Sequence, residues 1–298
     1  MSEKAPTSGV EVYRHGHKDE RGELSKEGIQ AARREAEVMF ERVRLAPADS
    51  IFFIVPSNIT RSQQTRNVIE KRLRELLVET QDESIEIIPF DSQETIKKDT
   101  GKKYIVTEFL PEARMGFNVE EESNKTFRFY QEIFANDEEY VARTWVARSS
   151  EIGELMEDIK ARFPDMNKAD LEKVMPSRFV ATPEDIALRQ LEAIEETTIS
   201  MNKMHPDQPL MGTYIGHAPA VDFLAMAVLG EEINLTNFKR IEGLRKYLES
   251  STFKVENGEV VMGSFRGRSL VEGVRVSLKD VKERLIKQST ARRKEWNV

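Results

Sequence analysis

Residues 10–16 read Val10-Glu11-Val12-Tyr13-Arg14-His15-Gly16. The alternation of apolar and polar residues over 10–14 is that of a half-buried strand, and a polar loop running to Glu23 follows it. Working outward, Ser25 is a helix N-cap. Behind it Ile29, Ala32, Ala36, Met39, Phe40 and Val43 recur at three- and four-residue spacing and form one apolar face. Ile51 to Val55 is a continuous apolar run, the pattern of a strand covered on both faces by helices. After the loop 56–60, Ile69, Leu73, Leu76 and Leu77 line a second helix. Ser84 to Phe90 reads as a third strand. Met211 to Gly216 reads as a fourth, leading into a helix after Pro219 that Gly230 ends. Strand and helix alternate, which predicts an α/β fold: a three-layer αβα sandwich around a mainly parallel sheet.

The region 119–205 breaks this rhythm. It has no strand pattern but several helical stretches, Thr126 to Phe134, Glu151 to Phe163 and Thr182 to Met204, and reads as a mostly helical insertion that caps a single domain spanning 1–298. Thr182, Pro183 and Asp185 form a capping box with proline at the first helical position. Asn257-Gly258 between Thr252 to Glu256 and Glu259 to Phe265 predicts a hairpin. The segment 278–298 reads as a charged amphipathic helix whose cations Lys287, Arg292, Arg293 and Lys294 lie on a solvated face.

Composition narrows the function classes. The 298 residues carry 45 Lys+Arg and 52 Asp+Glu, a net charge of −7, with 39% hydrophobic residues. That is a globular balance with enough apolar material for a core. An acidic surface argues against a general nucleic-acid binder, because phosphate backbones are held by clustered cations. Small phosphorylated ligands stay open, since two or three local arginines suffice for one phosphate. No apolar stretch approaches the roughly 20 residues of a membrane span. Met1 to Gly9 lacks the apolar core of a secretory signal, so a cytoplasmic location is the default expectation. With no cysteine, disulfides and thiolate chemistry are excluded.

The chain has four histidines, and His15 and His217 both end predicted strands. Ligand sites of open α/β sheets lie beyond the carboxyl ends of the strands, so the two are expected to face one crevice. Arg14 precedes His15, and Arg61 opens the helix after the second strand, where backbone amides favour anions. Two histidines and two arginines suit phosphate: the arginines clamp oxygens while an imidazole nitrogen attacks phosphorus. His15-Gly16-His17-Lys18-Asp19-Glu20 also invites a metal-site reading, similar to the His-x-His-x-Asp-His signature of metallo-β-lactamase-fold hydrolases. Too few histidines remain in the chain to complete such a site, and the expectation is no metal.

Five segments in order carry a resemblance. Tyr13-Arg14-His15-Gly16 resembles the RHG signature of the histidine phosphatase superfamily, which includes the cofactor-dependent phosphoglycerate mutases. Leu24-Ser25-Lys26-Glu27-Gly28 resembles the family's Leu-Thr-x-x-Gly helix entry, and Ser57 to Thr65 its Ser-x-x-x-Arg-Ala-x-Gln-Thr segment. Leu110-Pro111-Glu112-Ala113-Arg114-Met115-Gly116 is similar to its Leu-x-Glu-x-x-x-Gly segment, and Gly216-His217 closes the set. The resemblance implies a phosphoglycerate mutase-like fold and ping-pong phosphoryl transfer without a cofactor. His15 would become phosphohistidine, with Arg14, Arg61 and His217 neutralising the transferred group. Glu112 would act as acid and then base, with Glu108 and Glu120 to Glu122 as neighbours that could take that role.

His17, Lys18 and Arg21 are candidate substrate contacts. The loop from His15 to Leu24 is shorter than in the mutases, and Arg21 stands where theirs offers an asparagine, which favours a phosphatase. The expected partner is a small phosphorylated substrate, with a phosphoprotein not excluded. The alternatives are a mutase-type phosphotransferase and a non-catalytic binding or regulatory member of the fold.

Overall fold

The structure, a computed structural model, describes residues 9–19, 23–98, 100–109, 112, 115, 126, 129–134, 137–171, 173–174, 179, 181–243, 246, 249–265 and 268–296. One eight-stranded sheet runs through it. Its strands are β1 (Gly9–Arg14), β2 (Ile51–Pro56), β3 (Ile85–Pro89), β4 (Lys103–Thr107), β5 (Leu210–Gly216), β6 (Ser250–Glu256), β7 (Glu259–Phe265) and β8 (Arg268–Ser277), in the spatial order β3-β4-β2-β5-β1-β6-β7-β8. The first five strands in chain order are mutually parallel, while β6, β7 and β8 continue the sheet antiparallel. The sheet is therefore mostly but not purely parallel.

Alternation along β2 divides the core. Ile51, Phe53 and Val55 point into one apolar cluster, and Phe52 and Ile54 into another on the opposite face. The smaller cluster is closed by α1 (Lys26–Leu45) and α2 (Thr60–Thr80), through Ala32, Ala36, Met39, Phe40, Val43, Ile69 and Leu73. The larger is closed by α3 (Glu138–Val146), α4 (Ile152–Arg162), a short turn of helix at Lys168–Leu171, α5 (Pro183–Met204) and α6 (Ala220–Val228). A strand whose residues face helices on both sides must be apolar throughout, which is why Ile51–Pro56 has no buried-exposed alternation.

The expected caps form. Ser25 Oγ accepts from the Gly28 amide at 3.1 Å. Thr182 Oγ1 accepts from Asp185 N while Asp185 returns a bond to the Thr182 amide at 2.9 Å. The hairpin turn has Asn257 at φ 50° and Gly258 at φ 76°, the two left-handed residues a tight turn of that kind requires.

Two strands are added and two expectations are corrected. Strands β4 and β8 had no sequence signal of their own: β4 enters the sheet between β3 and β2, and β8 adds an antiparallel edge beside β7. Ile29 is 39% exposed, so the buried face of α1 starts at Gly28. In the C-terminal helix α7 (Leu278–Glu295), Arg292 is not on a solvated face but fully buried. Its guanidinium takes both oxygens of Glu184 and donates to the carbonyls of Val146 and Ala147 at 2.8 and 3.3 Å. Arg148 joins Glu184, Glu232 and Glu295 in the same network. A charge sealed from water persists only with such partners. It ties the C-terminal end of α3 to α5 and to the chain's last helix.

Candidate active site

Three strand ends lie side by side at the carboxyl edge of the sheet. The His15 amide bonds Gly216 O at 3.1 Å, the Ser57 amide bonds Ile215 O at 2.8 Å, and the Glu112 amide bonds Pro56 O at 2.8 Å. Glu112 forms a parallel bridge with Ser57. Residues far apart in sequence thus emerge into one crevice because their strands are neighbours.

The two histidines meet there. His15 Nε2 is 2.7 Å from His217 Nδ1, and both rings are buried. His15 Nδ1 lies 2.7 Å from the carbonyl of Gly16, and since a carbonyl only accepts, Nδ1 carries the proton. His15 Nε2 is then a lone-pair nitrogen. It accepts from His217 Nδ1 and from Arg61 Nε at 3.4 Å, while Arg61 Nη2 reaches His217 Nε2 at 3.2 Å. Burial, then Arg61 and Arg14, holds the His15 pKa well below the ordinary imidazole value; burial, His15 and the same arginines do so for His217. Both rings are neutral at pH 7, and a neutral imidazole keeps the electron pair that a nucleophile needs.

The surroundings fix this geometry. Thr65 Oγ1 accepts from the Gly16 amide at 3.0 Å and donates to the Arg61 carbonyl at 2.7 Å. One hydroxyl thereby couples the loop after β1 to the first turn of α2. Ser57 Oγ bonds Ser62 Oγ, which donates to Gly216 O. Gly28 lets the loop approach α1, because a Cβ there would lie 2.4 Å from His17 O.

Of the residues singled out from the sequence, His15, His217, Arg14 and Arg61 come together, and Glu112 is half-buried at the isolated bridge it makes with Ser57, just past the end of β2. His17 is exposed and bonds Ser25 Oγ at 3.1 Å. Lys18 is part-buried and turns into the site. Arg21 and Glu120 to Glu122 lie outside the described residues. Glu108 is directed at α2, 3.7 Å from Arg74. Among the described residues no group of three or more His, Asp or Glu side chains is arranged to hold a metal ion, and no helix is long and apolar enough to cross a membrane.

One site residue had no sequence signal. Glu138, at the start of α3, is buried and contacts Arg14 Nη2 at 2.6 Å and Lys18 Nζ. Burial opposes its ionisation, but Arg14 and Lys18 outweigh that and hold its pKa below the ordinary carboxylate value.

No family model matches the chain, and no curated protein matches it. The chain is similar to solved structures. One is a mycobacterial glucosyl-3-phosphoglycerate phosphatase, at 15% identity over 84% of this chain and 91% of that one, with TM-score 0.41. Another is a phosphoglycerate mutase from Bacillus anthracis, at 13% identity over 96% and 98%, with TM-score 0.37. A third is a Bifidobacterium longum multiple inositol polyphosphate phosphatase, at 10% identity over 96% and 93%, with TM-score 0.44.

Proposed function

We propose that the chain is a phosphatase of the histidine phosphatase type, hydrolysing a phosphate monoester through a phosphohistidine on His15. The observation that carries this is the tautomer of His15: its proton is engaged by the Gly16 carbonyl, which leaves Nε2 a lone pair facing His217 Nδ1 and Arg61 Nε, the donors that would hold the phosphoryl group. On substrate binding, Arg14, Arg61 and His217 turn to the phosphoryl oxygens, breaking the contacts of Arg61 and His217 with His15 Nε2, and the freed Nε2 attacks in line. The N–P bond forms as the P–O bond to the alcohol breaks, and the carboxyl of Glu112 gives its proton to the leaving oxygen. The carboxylate then takes a proton from water, whose oxygen attacks phosphorus. Orthophosphate leaves, and His15 regains its lone pair.

No cofactor is needed for these steps. The start of α3, whose Glu138 reaches Arg14 and Lys18, borders the alcohol side of the pocket, and the substrate is a small phosphorylated compound. A mutase-type reaction would share the first half and send the phosphoryl group to an alcohol in place of water.

The test is p-nitrophenyl phosphate hydrolysis in EDTA by wild type and His15→Ala, with isolation of acid-labile, alkali-stable phosphate on the protein. EDTA-resistant turnover that vanishes in the variant is the expected outcome. If neither this ester nor a broad panel of phosphate esters is turned over, the site belongs to a binding module.

A further inference from the structure

Within the proposed phosphate site, the cations do not stand empty-handed. The two oxygens of Glu138 are divided between Arg14 and Lys18, and side-chain exposure is 7% for both Arg14 and Glu138 and 18% for Lys18. A carboxylate that bridges two donors in this way presents the same sign of charge and nearly the same spacing of acceptor oxygens as one edge of a phosphoryl group. Arg14 is the residue beside the nucleophile. It therefore has two claimants, an internal carboxylate from α3 and the phosphoryl group of an incoming substrate.

The backbone beneath Glu138 does not yield. Tyr140, Val141, Ala142, Trp145 and Val146 are buried along α3, and Arg292 grips the carbonyls at its far end. Any exchange must happen by rotation of side chains. Glu138 would remain next to Lys18 while Arg14 turns to the substrate, so the negative charge stays in the pocket during binding.

We propose that Glu138 is an affinity- and specificity-determining residue, a built-in competing anion. It holds Arg14 and Lys18 in the free protein, cedes Arg14 to the phosphoryl group, and disfavours substrates with a second anion beside the scissile phosphate. The inference rests on the reading of Arg14 and Arg61 as a phosphate clamp, but not on turnover. It selects phosphate esters of neutral alcohols, whose hydroxyls can donate to Glu138, over phosphorylated carboxylic acids, whose carboxylate it would repel.

The test is calorimetric titration of wild type and Glu138→Gln with inorganic phosphate at neutral pH. The amide keeps the shape and removes the charge, so phosphate should bind about tenfold or more tightly to the variant, the scale set by one like charge at contact range near a protein surface. Equal or weaker binding by a folded variant, or binding to neither protein, overturns the inference.

A second measurement uses the wild type alone. In a crystal structure with orthovanadate bound, Arg14 Nη2 should have left Glu138 for the anion, and an Arg14 that keeps its 2.6 Å bond to Glu138 with vanadate in place overturns it. The two readings fail separately. A protein that never labels on His15, yet binds phosphate more tightly as Glu138→Gln, loses the phosphohistidine reading and retains this one. A labelled protein with no gain in the variant does the reverse.

Discussion

His15 Nε2 lies 2.7 Å from Nδ1 of His217, with the ring centroids 4.6 Å apart and the planes tilted by 33°. In the proposed reaction the second ring donates to the first while the site is empty and to the phosphoryl group once it is filled. His217→Ala removes one prearranged donor and should lower kcat by about 10²- to 10³-fold, the usual size for such a group. His15→Ala removes the nucleophile itself and should abolish labelling. Steady-state kinetics of the two variants, with phosphate labelling of the protein, checks the distinction: labelling should survive in His217→Ala, slowed, and not in His15→Ala.

The same pair makes stability depend on pH. Each ring has a folded-state pKa well below 6.5, so near pH 6 the unfolded chain binds protons that the folded chain refuses. Stability is therefore fully present above about pH 6.5 and declines as pH falls toward the folded pKa values, at a limiting slope of about 1.4 kcal/mol per pH unit for each histidine. Urea denaturation between pH 5 and 8 should show this decline for wild type. In His15→Asn with His217→Asn it should be shallower by about two protons' worth at the low end.

Much of this site was legible because its parts are local signals placed by simple rules. An alternating run ending in Arg14-His15, a buried run followed by Arg61 and a strand ending in Gly216-His217 can share one edge only if the strands are neighbours, and parallel α/β topology makes them so. What stayed hidden has equally physical reasons. The apolar part of Lys103–Thr107 is only Tyr104 to Val106, too short to stand out as a buried run. Glu138 sits in a charged stretch, Asp137-Glu138-Glu139, that reads as surface because nothing local reveals that Arg14 and Lys18 will cover it. Arg292 looks like one more tail cation, and only the packing of α7 against α3 and α5 shows that water is absent around it.

That buried arginine yields a stability prediction. Arg292→Met leaves Glu184 in an apolar setting with Arg148 as its remaining cation, 3.4 Å away. Breaking one partner of a buried pair costs about 3–5 kcal/mol. Replacing both with apolar residues, Arg292→Met with Glu184→Leu, removes the stranded charge and should cost less than the sum of the two single changes. Chemical denaturation of the three variants gives the coupling energy directly.

Gly28 links the packing of α1 to the site. A Cβ on it would meet the His17 carbonyl at 2.4 Å and the His17 amide nitrogen at 3.0 Å, both backbone atoms that can move only by displacing the loop carrying Lys18. Gly28→Ala should therefore destabilise by about 1–3 kcal/mol, the range for overpacking. It should also raise KM more than Gly153→Ala, an alanine placed where nothing lies within 4 Å. Thermal melts and kinetics on the pair separate a general helix effect from the local clash.

The role proposed for Glu112 can be isolated by varying the leaving group. Its backbone is fixed beside the end of β2 by the bonds of Glu112 N to Pro56 O and of Met115 N to Glu112 O, 2.8 and 3.1 Å, and by its parallel bridge with Ser57. A p-nitrophenolate departs without being protonated, whereas an alkoxide does not. If Glu112 supplies that proton, Glu112→Gln should lower the rate of phosphohistidine formation from an alkyl phosphate by about 10²- to 10⁴-fold. From p-nitrophenyl phosphate the same step should change by less than about tenfold. The second half-reaction needs the same residue as base, so phosphohistidine should accumulate when Glu112→Gln is mixed with p-nitrophenyl phosphate. Rapid-quench measurement of the burst and of the trapped phosphate reads both effects in one experiment. Equal losses for the two esters would assign the proton to another group.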